Sequence, residues 1–350
     1  MNLLVTGGAG FIGSNFISYI LSKYPQYKII NLDLLTYAGN LENLKEVENH
    51  PNYEFVEGDI CNRDLIGFLF KKYDFQGVFH FAAESHVDNS IKNPETFVKT
   101  NVNGTFTLLD VARGHWMEAS NKVKREFVNA RFHHVSTDEV FGSLGSEGYF
   151  TEESPYAPNS PYSASKAASD MLVRSFYHTY GMNVVTTNCS NNFGPRQHAE
   201  KLIPTIIRKA LAFEHIPIYG DGLNIRDWLY VEDHCRAIDL VFHESDAGET
   251  YLIGGHNEKT NLEIVNDICG ILDEKLSDKL EENNMYSFKE LITFVEDRSG
   301  HDFRYALDSS KIHEKLKFNF AENDFKKIEK TIDFYINFKS RDNIESISFN

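Results

Sequence analysis

The sequence predicts an α/β fold, a doubly wound parallel sheet joined to a smaller C-terminal lobe. Short β-rich runs alternate with helical patterns over roughly the first 190 residues, which is typical of a parallel sheet with helices on both faces. The glycine-rich stretch Gly7–Gly13 directly follows the first run and opens a helix. From about Phe193 the alternation breaks up into loops, short strands and charged helices. Together these observations indicate a Rossmann-type fold with an interleaved second lobe.

The individual elements follow from local composition. The predicted strands are Leu3–Thr6, Lys28–Leu32, Tyr53–Glu57, Gly77–Phe81, Phe132–Ser136 and Asn183–Asn188. The predicted helices are Phe11–Tyr24, Leu41–Asn49, Asp64–Tyr73, one from Pro94 past Leu108, and one from about Pro161 to Tyr180. Proline suits the first turn of a helix because an amide hydrogen at that position would have no partner within the helix, and proline has none.

The charge balance restricts the kinds of partner. Asp and Glu number 51 against 35 Lys and Arg, which gives a formal net charge of −16 at pH 7. An acidic surface repels phosphate backbones over long range, so we expect no nucleic-acid partner. A small anionic ligand would therefore require a local basic site.

Signals for membranes, secretion and metal binding are weak. No run approaches the roughly 18 apolar residues of a membrane span. The first residues lack the basic region of a signal peptide. Cys61, Cys189, Cys235 and Cys269 are too widely separated for the close pairing of a zinc site. We therefore expect a cytoplasmic protein with reduced thiols, no metal ion and no membrane contact.

A dinucleotide site is predicted at the first strand–helix junction. Gly8, Gly10 and Gly13 fit G-x-G-x-x-G, in which glycines allow a tight turn and the close approach of a pyrophosphate to the helix N-terminus. Asp33 ends the second strand about twenty residues further on, where a carboxylate binds an adenosine ribose. Its negative charge disfavours the 2′-phosphate of NADP, so NAD is the expected cofactor.

Two further stretches lie where an open α/β sheet binds ligands. Asp59 and Ile60 follow the third strand, and Phe81, Ala82 and Ala83 end the fourth. Because the carboxyl ends of parallel strands meet at one edge of the sheet, we expect these residues to lie beside the cofactor.

The domain prediction combines this site with the chain length. A chain of 350 residues is typical of about two domains, and no flexible linker separates them. Residues 1–192, with about 227–255, are predicted to form the NAD-binding domain. Residues of about 193–226 and 256–350 are predicted to form the substrate-binding lobe.

Tyr162 and Lys166 form the first candidate catalytic pair. They are four residues apart on a predicted helix and therefore share one face. A free phenol has a pKa of about 10 and is a poor base at pH 7. One ammonium group about 4 Å away supplies on the order of 4 kcal/mol at an effective dielectric constant near 20. The pattern thus predicts that Lys166 lowers the pKa of Tyr162, which can then deprotonate a sugar or alcohol hydroxyl.

Asp138 and Glu139 narrow the reaction. They follow the strand predicted over Phe132–Ser136, next to the expected ligand edge. Simple oxidation or epimerisation does not need two adjacent carboxylates. An elimination does, because one group removes a carbon-bound proton while another protonates the leaving hydroxyl. The pair therefore predicts the loss of water from the substrate.

The order of these motifs resembles the extended short-chain dehydrogenase/reductase superfamily over nearly the whole chain. Ser136–Val140 and Tyr162–Lys166 are similar to the nucleoside-diphosphate-hexose 4,6-dehydratases, in particular to the branch that acts on dTDP-glucose. The other matching stretches are Ala82–Asp88, Asn191–Pro195, Glu200–Pro204, Pro217–Gly222, Ile225–Asp233 and Asp297–Asp302.

The resemblance implies a three-step reaction on one bound sugar. Tyr162, activated by Lys166, removes the proton of the C4 hydroxyl while NAD accepts the C4 hydride, and Thr137 holds the C4 oxygen. Glu139 then removes the C5 proton as Asp138 protonates the departing C6 hydroxyl. Return of the hydride to C6 gives a 4-keto-6-deoxy sugar, so NAD is retained rather than consumed.

The resemblance also implies which residues contact the ligands. Those expected at the cofactor are Gly7, Gly10, Phe11, Ile12, Gly13, Asp33, Leu34, Thr36, Asp59, Ile60, Phe81, Ala82, Ala83, Ser85, Thr100, Tyr162, Lys166 and Asn192. Those expected at the nucleotide sugar are Ser85, Thr137, Asn191, Lys201, Leu202, Pro217, Tyr219, Arg226, Asn261, Arg298 and His301. Arg226 and Arg298 have the planar fork that grips diphosphate oxygens.

Some positions and functions stay open. Phe141, Asn89 and Phe303 depart from the family's usual residues, as does the loop 194–199, but none of these changes removes a catalytic group. The alternative functions are a UDP-glucose 4,6-dehydratase, a UDP-sugar 4-epimerase or decarboxylase, and an inactive NAD-binding regulatory protein.

A homodimer is expected from the two long helices of the first half. They carry apolar residues such as Phe97 and Leu108, and Met171 and Phe176, part of which must cover the sheet. The family pairs these helices with those of a second copy, so the resemblance implies a four-helix interface.

Overall fold

The computed structural model describes residues 1–297, 302–320 and 324–341. The named strands all lie within residues 1–297. They are β1 Asn2–Thr6, β2 Lys28–Asp33, β3 Tyr53–Glu57, β4 Gly77–His80, β5 Met117–Ala119, β6 Lys122–Val123, β7 Arg131–Thr137, β8 Val184–Cys189, β9 Asn191–Phe193, β10 Ile216–Tyr219, β11 Ile225–Tyr230, β12 Thr250–Ile253, β13 Glu258–Thr260 and β14 Ile292–Val295.

Helices connect most of these strands. They are α1 Phe11–Lys23, α2 Arg63–Tyr73, α3 Val87–Lys92, α4 Pro94–Phe97, α5 Thr105–Trp116, α6 Pro161–Tyr180, α7 Leu202–Leu211, α8 Val231–Glu244, α9 Asn261–Lys275, α10 Ser277–Glu282, α11 Ser310–Leu316 and α12 Asp324–Arg341. In the described residues, no helix combines the length and apolar character needed to cross a membrane.

The central layer is a seven-stranded sheet in the order β12-β8-β7-β4-β1-β2-β3. All its strand pairs are parallel, which confirms the predicted α/β class. Strand order reverses at β1, whose neighbours are β2 on one side and β4 on the other. At such a switch point the two crossovers leave on opposite faces of the sheet, and a crevice for a ligand opens at the carboxyl ends.

Helices cover both faces of this sheet because side chains alternate along each strand. Leu3 and Val5 of β1 belong to one apolar cluster, together with Phe16 of α1 and Ile238 of α8. Leu4 points the other way, into a cluster that includes residues of α2, α5 and α6. The strand ends that carry the predicted site are therefore held between two packed layers.

The second lobe has its own apolar core. Ile207 of α7, Ile216 of β10, Trp228 of β11, Ile268 of α9 and Ile332 of α12 pack in one cluster. Two small sheets support it, β13-β11-β9 and the pair β10-β14. The chain returns from this lobe to add β12 to the large sheet. The proposed division near residues 192, 227 and 255 stays a prediction.

Two local predictions differ from the structure. Only Leu41–Leu44 is helical in the stretch predicted over Leu41–Asn49, as a single 3-10 turn that Asn40 caps. The helix predicted from Pro94 begins there, with the proline in the first turn. It contains a π-helical segment, Val98–Gly104, before α5. The widened turns bring Asn101 and Gly104 into the buried interior.

Candidate active site

A cleft of about 320 Å³ opens at the carboxyl edge of the large sheet. All five predicted catalytic residues line it, Thr137, Asp138, Glu139, Tyr162 and Lys166. So do the residues predicted at the cofactor, Gly7, Gly10, Phe11, Ile12, Gly13, Asp33, Leu34, Thr36, Asp59, Ile60, Phe81, Ala82, Ala83, Ser85, Thr100 and Asn192. Folding thus brings stretches that are more than a hundred residues apart in the sequence to one place.

The glycine-rich turn is packed too tightly for side chains. Gly7 has a φ of +71°, and a Cβ there would lie 2.6 Å from the backbone nitrogen of Ala82. A Cβ on Gly13 would lie 2.3 Å from the carbonyl oxygen of Gly7. The turn therefore presents bare backbone at the start of α1, where amide hydrogens and the helix dipole favour a pyrophosphate.

Asp33 is held at the end of β2 beside this turn. Its Oδ2 accepts a hydrogen bond from the Ala9 amide at 2.9 Å, and its Oδ1 accepts one from the Leu35 amide at 2.9 Å. Burial raises the pKa of Asp33 overall, although these amide hydrogen bonds act in the opposite direction. Each oxygen keeps a lone pair for a ribose hydroxyl. The glycine cradle and this carboxylate together fit an adenine dinucleotide without a 2′-phosphate.

Asp138 is a buried acid on the floor of the cleft. It follows β7 directly and is only 2% exposed. Its Oδ1 accepts a hydrogen bond from the Thr137 hydroxyl at 3.2 Å. Its Oδ2 has no hydrogen-bond partner within the described part of the chain. Burial, followed by the charge of Glu139, raises the pKa of Asp138 well above its usual value. The shift favours the protonated form of the side chain, which can donate a proton.

Tyr162 is almost as deeply buried, at 9% exposure. Burial first, and then the charge of Glu139, raises its pKa well above the usual value, while a hydrogen bond with Thr137 lowers it. Lys166 Nζ donates to the Val135 carbonyl at 2.9 Å. Burial and nearby negative charge thus raise the pKa of Tyr162 overall in the chain alone, and the predicted lowering by Lys166 stays a prediction.

The second lobe supplies the other wall of the cleft. Only some of the residues predicted to bind the nucleotide sugar line it. Asn191 and Lys201 line the cleft from this lobe, and Lys201 Nζ lies 3.4 Å from the carbonyl oxygen of Ser85, which lines the cleft from the loop after β4. Leu202, Pro217, Tyr219, Arg226 and Asn261 do not belong to the described lining of the cleft. Arg298 and His301 lie outside the described residues.

Arg226 is a structural anchor in this chain. It is 5% exposed, and its guanidinium donates to the carbonyl oxygens of Ile225, Asp302 and Phe303 at 2.7 to 3.2 Å. It also lies 4.6 Å from the ring centroid of Tyr305. These contacts attach β11 to the segment that follows residue 301.

Several residues of the cleft were missed. Cys189 ends β8 and Ser190 follows it, so the strand-end rule that identified Phe81 would also have found them. Gln197 and His198 lie in the loop after β9 and also line the cleft. No local pattern in the sequence predicts the path of that loop.

The fold and this cleft define the class of protein, an extended short-chain dehydrogenase/reductase. A family model described as GDP-mannose 4,6 dehydratase matches residues 4–331. The chain belongs to this family. It is 50% identical over 341 residues to a dTDP-glucose 4,6-dehydratase of Neisseria gonorrhoeae, and the alignment covers 97% of each chain.

Solved structures show the same relationship. A dTDP-glucose 4,6-dehydratase of Bacillus anthracis in complex with NAD is 45% identical, with a TM-score of 0.83 and coverage of 97% of this chain and 98% of that one. A UDP-glucose 4-epimerase of Thermotoga maritima has the same TM-score, 0.83, at 26% identity, and covers 97% and 100% of the two chains. The scaffold is thus shared by enzymes with different reactions, and the site has to distinguish them.

Proposed function

We propose that this chain converts dTDP-glucose to dTDP-4-keto-6-deoxyglucose and water, with NAD as a retained cofactor. It is an NAD-dependent 4,6-dehydratase. The observation that carries the proposal is the buried Asp138 adjoining Glu139 in the same cleft as Tyr162. An enzyme that only moves a hydride at C4 has no use for that acid.

The glycine turn and Asp33 would hold the dinucleotide, with Asp59, Ile60 and Phe81–Ala83 beside it. When bound, NAD supplies a positive charge, accepts a hydride from C4 and returns it to C6. That positive charge next to the cleft opposes the effect of burial on Tyr162. Tyr162 then removes the proton of the C4 hydroxyl, and Thr137 holds the C4 oxygen in place by a hydrogen bond.

Elimination follows from the difference between the two carboxyl groups. The ketone at C4 acidifies the C5 proton, which Glu139 removes. Asp138 donates its proton to the C6 hydroxyl, which leaves as water. When the hydride returns to C6, Glu139 gives its proton back to C5, which completes the 4-keto-6-deoxy sugar. Two adjacent acids in unequal surroundings can thus act as base and acid in a single step.

The substrate's diphosphate has to be bound locally, because the protein as a whole repels it. Lys201 and Asn191 are the groups already at the cleft, with Ser85 beside Lys201. We infer that the nucleotide end of the site is completed by Leu202, Pro217, Tyr219, Asn261, Arg226, Arg298 and His301.

A homodimer in the cytoplasm is part of the same proposal. Ile91, Val98, Phe106 and Met171 are apolar residues on helices of the first half, and all are at least 42% exposed.

Mass spectrometry of dTDP-glucose incubated with the pure protein tests the function. We expect a product lighter by one water, with no net consumption of NAD. A product that retains its C6 hydroxyl would contradict the dehydratase. A strong preference for UDP-glucose in parallel incubations would contradict the nucleobase.

A further inference from the structure

Asp170 is a buried carboxylate of α6 that does not line the cleft but is on the same helix as Tyr162 and Lys166. It lies on α6 four residues after Lys166 and eight after Tyr162, so all three share one face of the helix. It is 3% exposed. Its Oδ1 accepts a hydrogen bond from His134 Nε2 at 3.0 Å. Its Oδ2 accepts three more, from Ser136 Oγ at 2.9 Å, Tyr156 OH at 3.0 Å and Asn188 Nδ2 at 3.0 Å.

These donors come from separate parts of the molecule. His134 and Ser136 belong to β7, Asn188 belongs to β8, and Tyr156 lies in the loop before α6. Burial raises the pKa of Asp170, but the hydrogen bonds from His134 and Ser136 and the charges of His134 and Lys166 lower it overall, which favours the ionised carboxylate. One charge thus connects both strands and the loop to the helix that carries Tyr162.

The connection continues to the reacting residues. Asn188 Nδ2 also donates to the Thr137 carbonyl at 3.0 Å, at the point where β7 gives way to Asp138. Lys166 Nζ donates to the Val135 carbonyl, one residue before Ser136. Asn188 therefore links the carboxylate to the strand end that presents the two acids, and Lys166 is bound to the same strand.

We propose that Asp170 is a positioning residue, which sets the register of Thr137–Glu139 against Tyr162 and keeps Lys166 charged. The inference rests on the proposed function for its kinetic effect, but not for its effect on the lysine. A catalytic group displaced by about 1 Å loses on the order of a hundredfold in rate. The loss of a buried counter-charge shifts the titration of its partner.

Several titratable groups of the described chain lie near Lys166, and Asp170 is the acid among them whose pKa is lowered. Tyr162 is on its own helix, His134 on β7, Cys189 on β8 and His80 on β4. Burial holds both histidines neutral, with the pKa of His134 lowered to about 4, and raises the pKa of Cys189 to about 12. Burial lowers the pKa of Lys166, and Asp170 raises it. Without that carboxylate the ammonium loses its proton at a lower pH.

The test is Asp170→Asn in the full-length protein with NAD. We expect kcat to fall about a hundredfold, with KM for dTDP-glucose changed less than about threefold. The alkaline limb of the pH–rate profile should move down by about one unit. The ¹³Cε resonance of Lys166, identified by its loss in Lys166→Met, should titrate at lower pH whether or not the protein turns over.

Controls separate positioning from simple destabilisation. Asp239→Asn removes an equally buried acid, which binds Lys23 and His243 on the far side of the sheet, and should lower Tm without moving the alkaline limb. Tyr156→Phe and Ser136→Ala each remove one donor and should lower kcat about threefold to tenfold. Asp170→Glu should restore the alkaline limb. An Asp170→Asn variant with wild-type kcat and an unmoved Lys166 titration would overturn the proposal.

Discussion

The two walls of the cleft are built in opposite ways. On the large sheet, site residues lie at or beside strand ends, and backbone atoms close to the sheet hold them, as the Ala9 amide of the glycine turn holds Asp33. On the second lobe, positions depend on side-chain contacts across long stretches of chain. Tyr335 of α12 donates to the Gln197 carbonyl at 2.8 Å, and Arg226 is fixed by carbonyl groups around residue 302.

The difference separates chemistry from recognition. Buried groups at strand ends have fixed positions and shifted pKa values, as Asp138 does, which suits proton transfer. Half-exposed groups on loops suit a ligand that must enter and leave. We therefore expect substitutions on the sheet wall to lower kcat, and substitutions on the lobe wall to raise KM.

Tyr162→Phe should have the largest effect. Loss of a positioned general base costs about a hundredfold to ten-thousandfold in kcat. NAD affinity and Tm should stay close to wild type, because the ring keeps its packing. Tyr180→Phe, on the same helix but outside the cleft, is the matched control and should be neutral. Substantial turnover by Tyr162→Phe would mean that another group removes the C4 proton.

Asp138→Asn should come next, with a loss of about a hundredfold in kcat. An amide cannot protonate the departing hydroxyl. Fluoride needs little protonation to leave, so dTDP-6-deoxy-6-fluoroglucose should be eliminated at nearly the same rate by wild type and variant. If the fluoro substrate slows as much as dTDP-glucose does, Asp138 has a role other than that of acid.

The same contrast explains how much could be predicted from the sequence. The glycine spacing, Asp33 and the Asp138–Glu139 pair are local signals, each tied to a strand end that hydrophobic runs reveal. Even there, the burial that raises the pKa of Tyr162 could not be predicted, because the packing of distant segments does not show in a spacing of four residues.

Long-range contacts account for what could not be predicted. The four donors to Asp170 are spread from residue 134 to residue 188, and the loop of Gln197 is held by a residue 138 positions away. Such contacts depend on how packed layers meet, which no window of sequence contains. The residues of the catalytic wall could therefore be predicted from the sequence, whereas the hydrogen-bond network around Asp170 could not.

Lys201→Ala tests the lobe wall, with an intermediate effect. A charge-assisted hydrogen bond contributes about 1.5–3 kcal/mol, so KM for dTDP-glucose should rise roughly tenfold to a hundredfold. We expect kcat to change less than about threefold, since no proton transfer involves the lysine. Lys209→Ala is the control, because Lys209 is on the same stretch, α7, and pairs with Glu214. A fall in kcat larger than the rise in KM would contradict the division between the walls.

Arg196→Ala should have the smallest effect, because Arg196 joins the two walls without lining the cleft. Its guanidinium donates to the Ser14 carbonyl at 3.0 Å and to Ser18 Oγ at 2.9 Å, both on α1. It thereby ties the loop of Gln197 and His198 to the helix at the glycine turn. Its φ of +71° is a left-handed conformation that alanine tolerates no better.

Loss of this tie should loosen the loop and raise the Kd for NAD about threefold, equivalent to roughly 0.7 kcal/mol, as measured by fluorescence titration. Arg196→Lys keeps a charge but cannot make both contacts, and should lie in between. A change in kcat without a change in the Kd for NAD would mean that the loop acts on catalysis, as the sheet wall does, and not on binding.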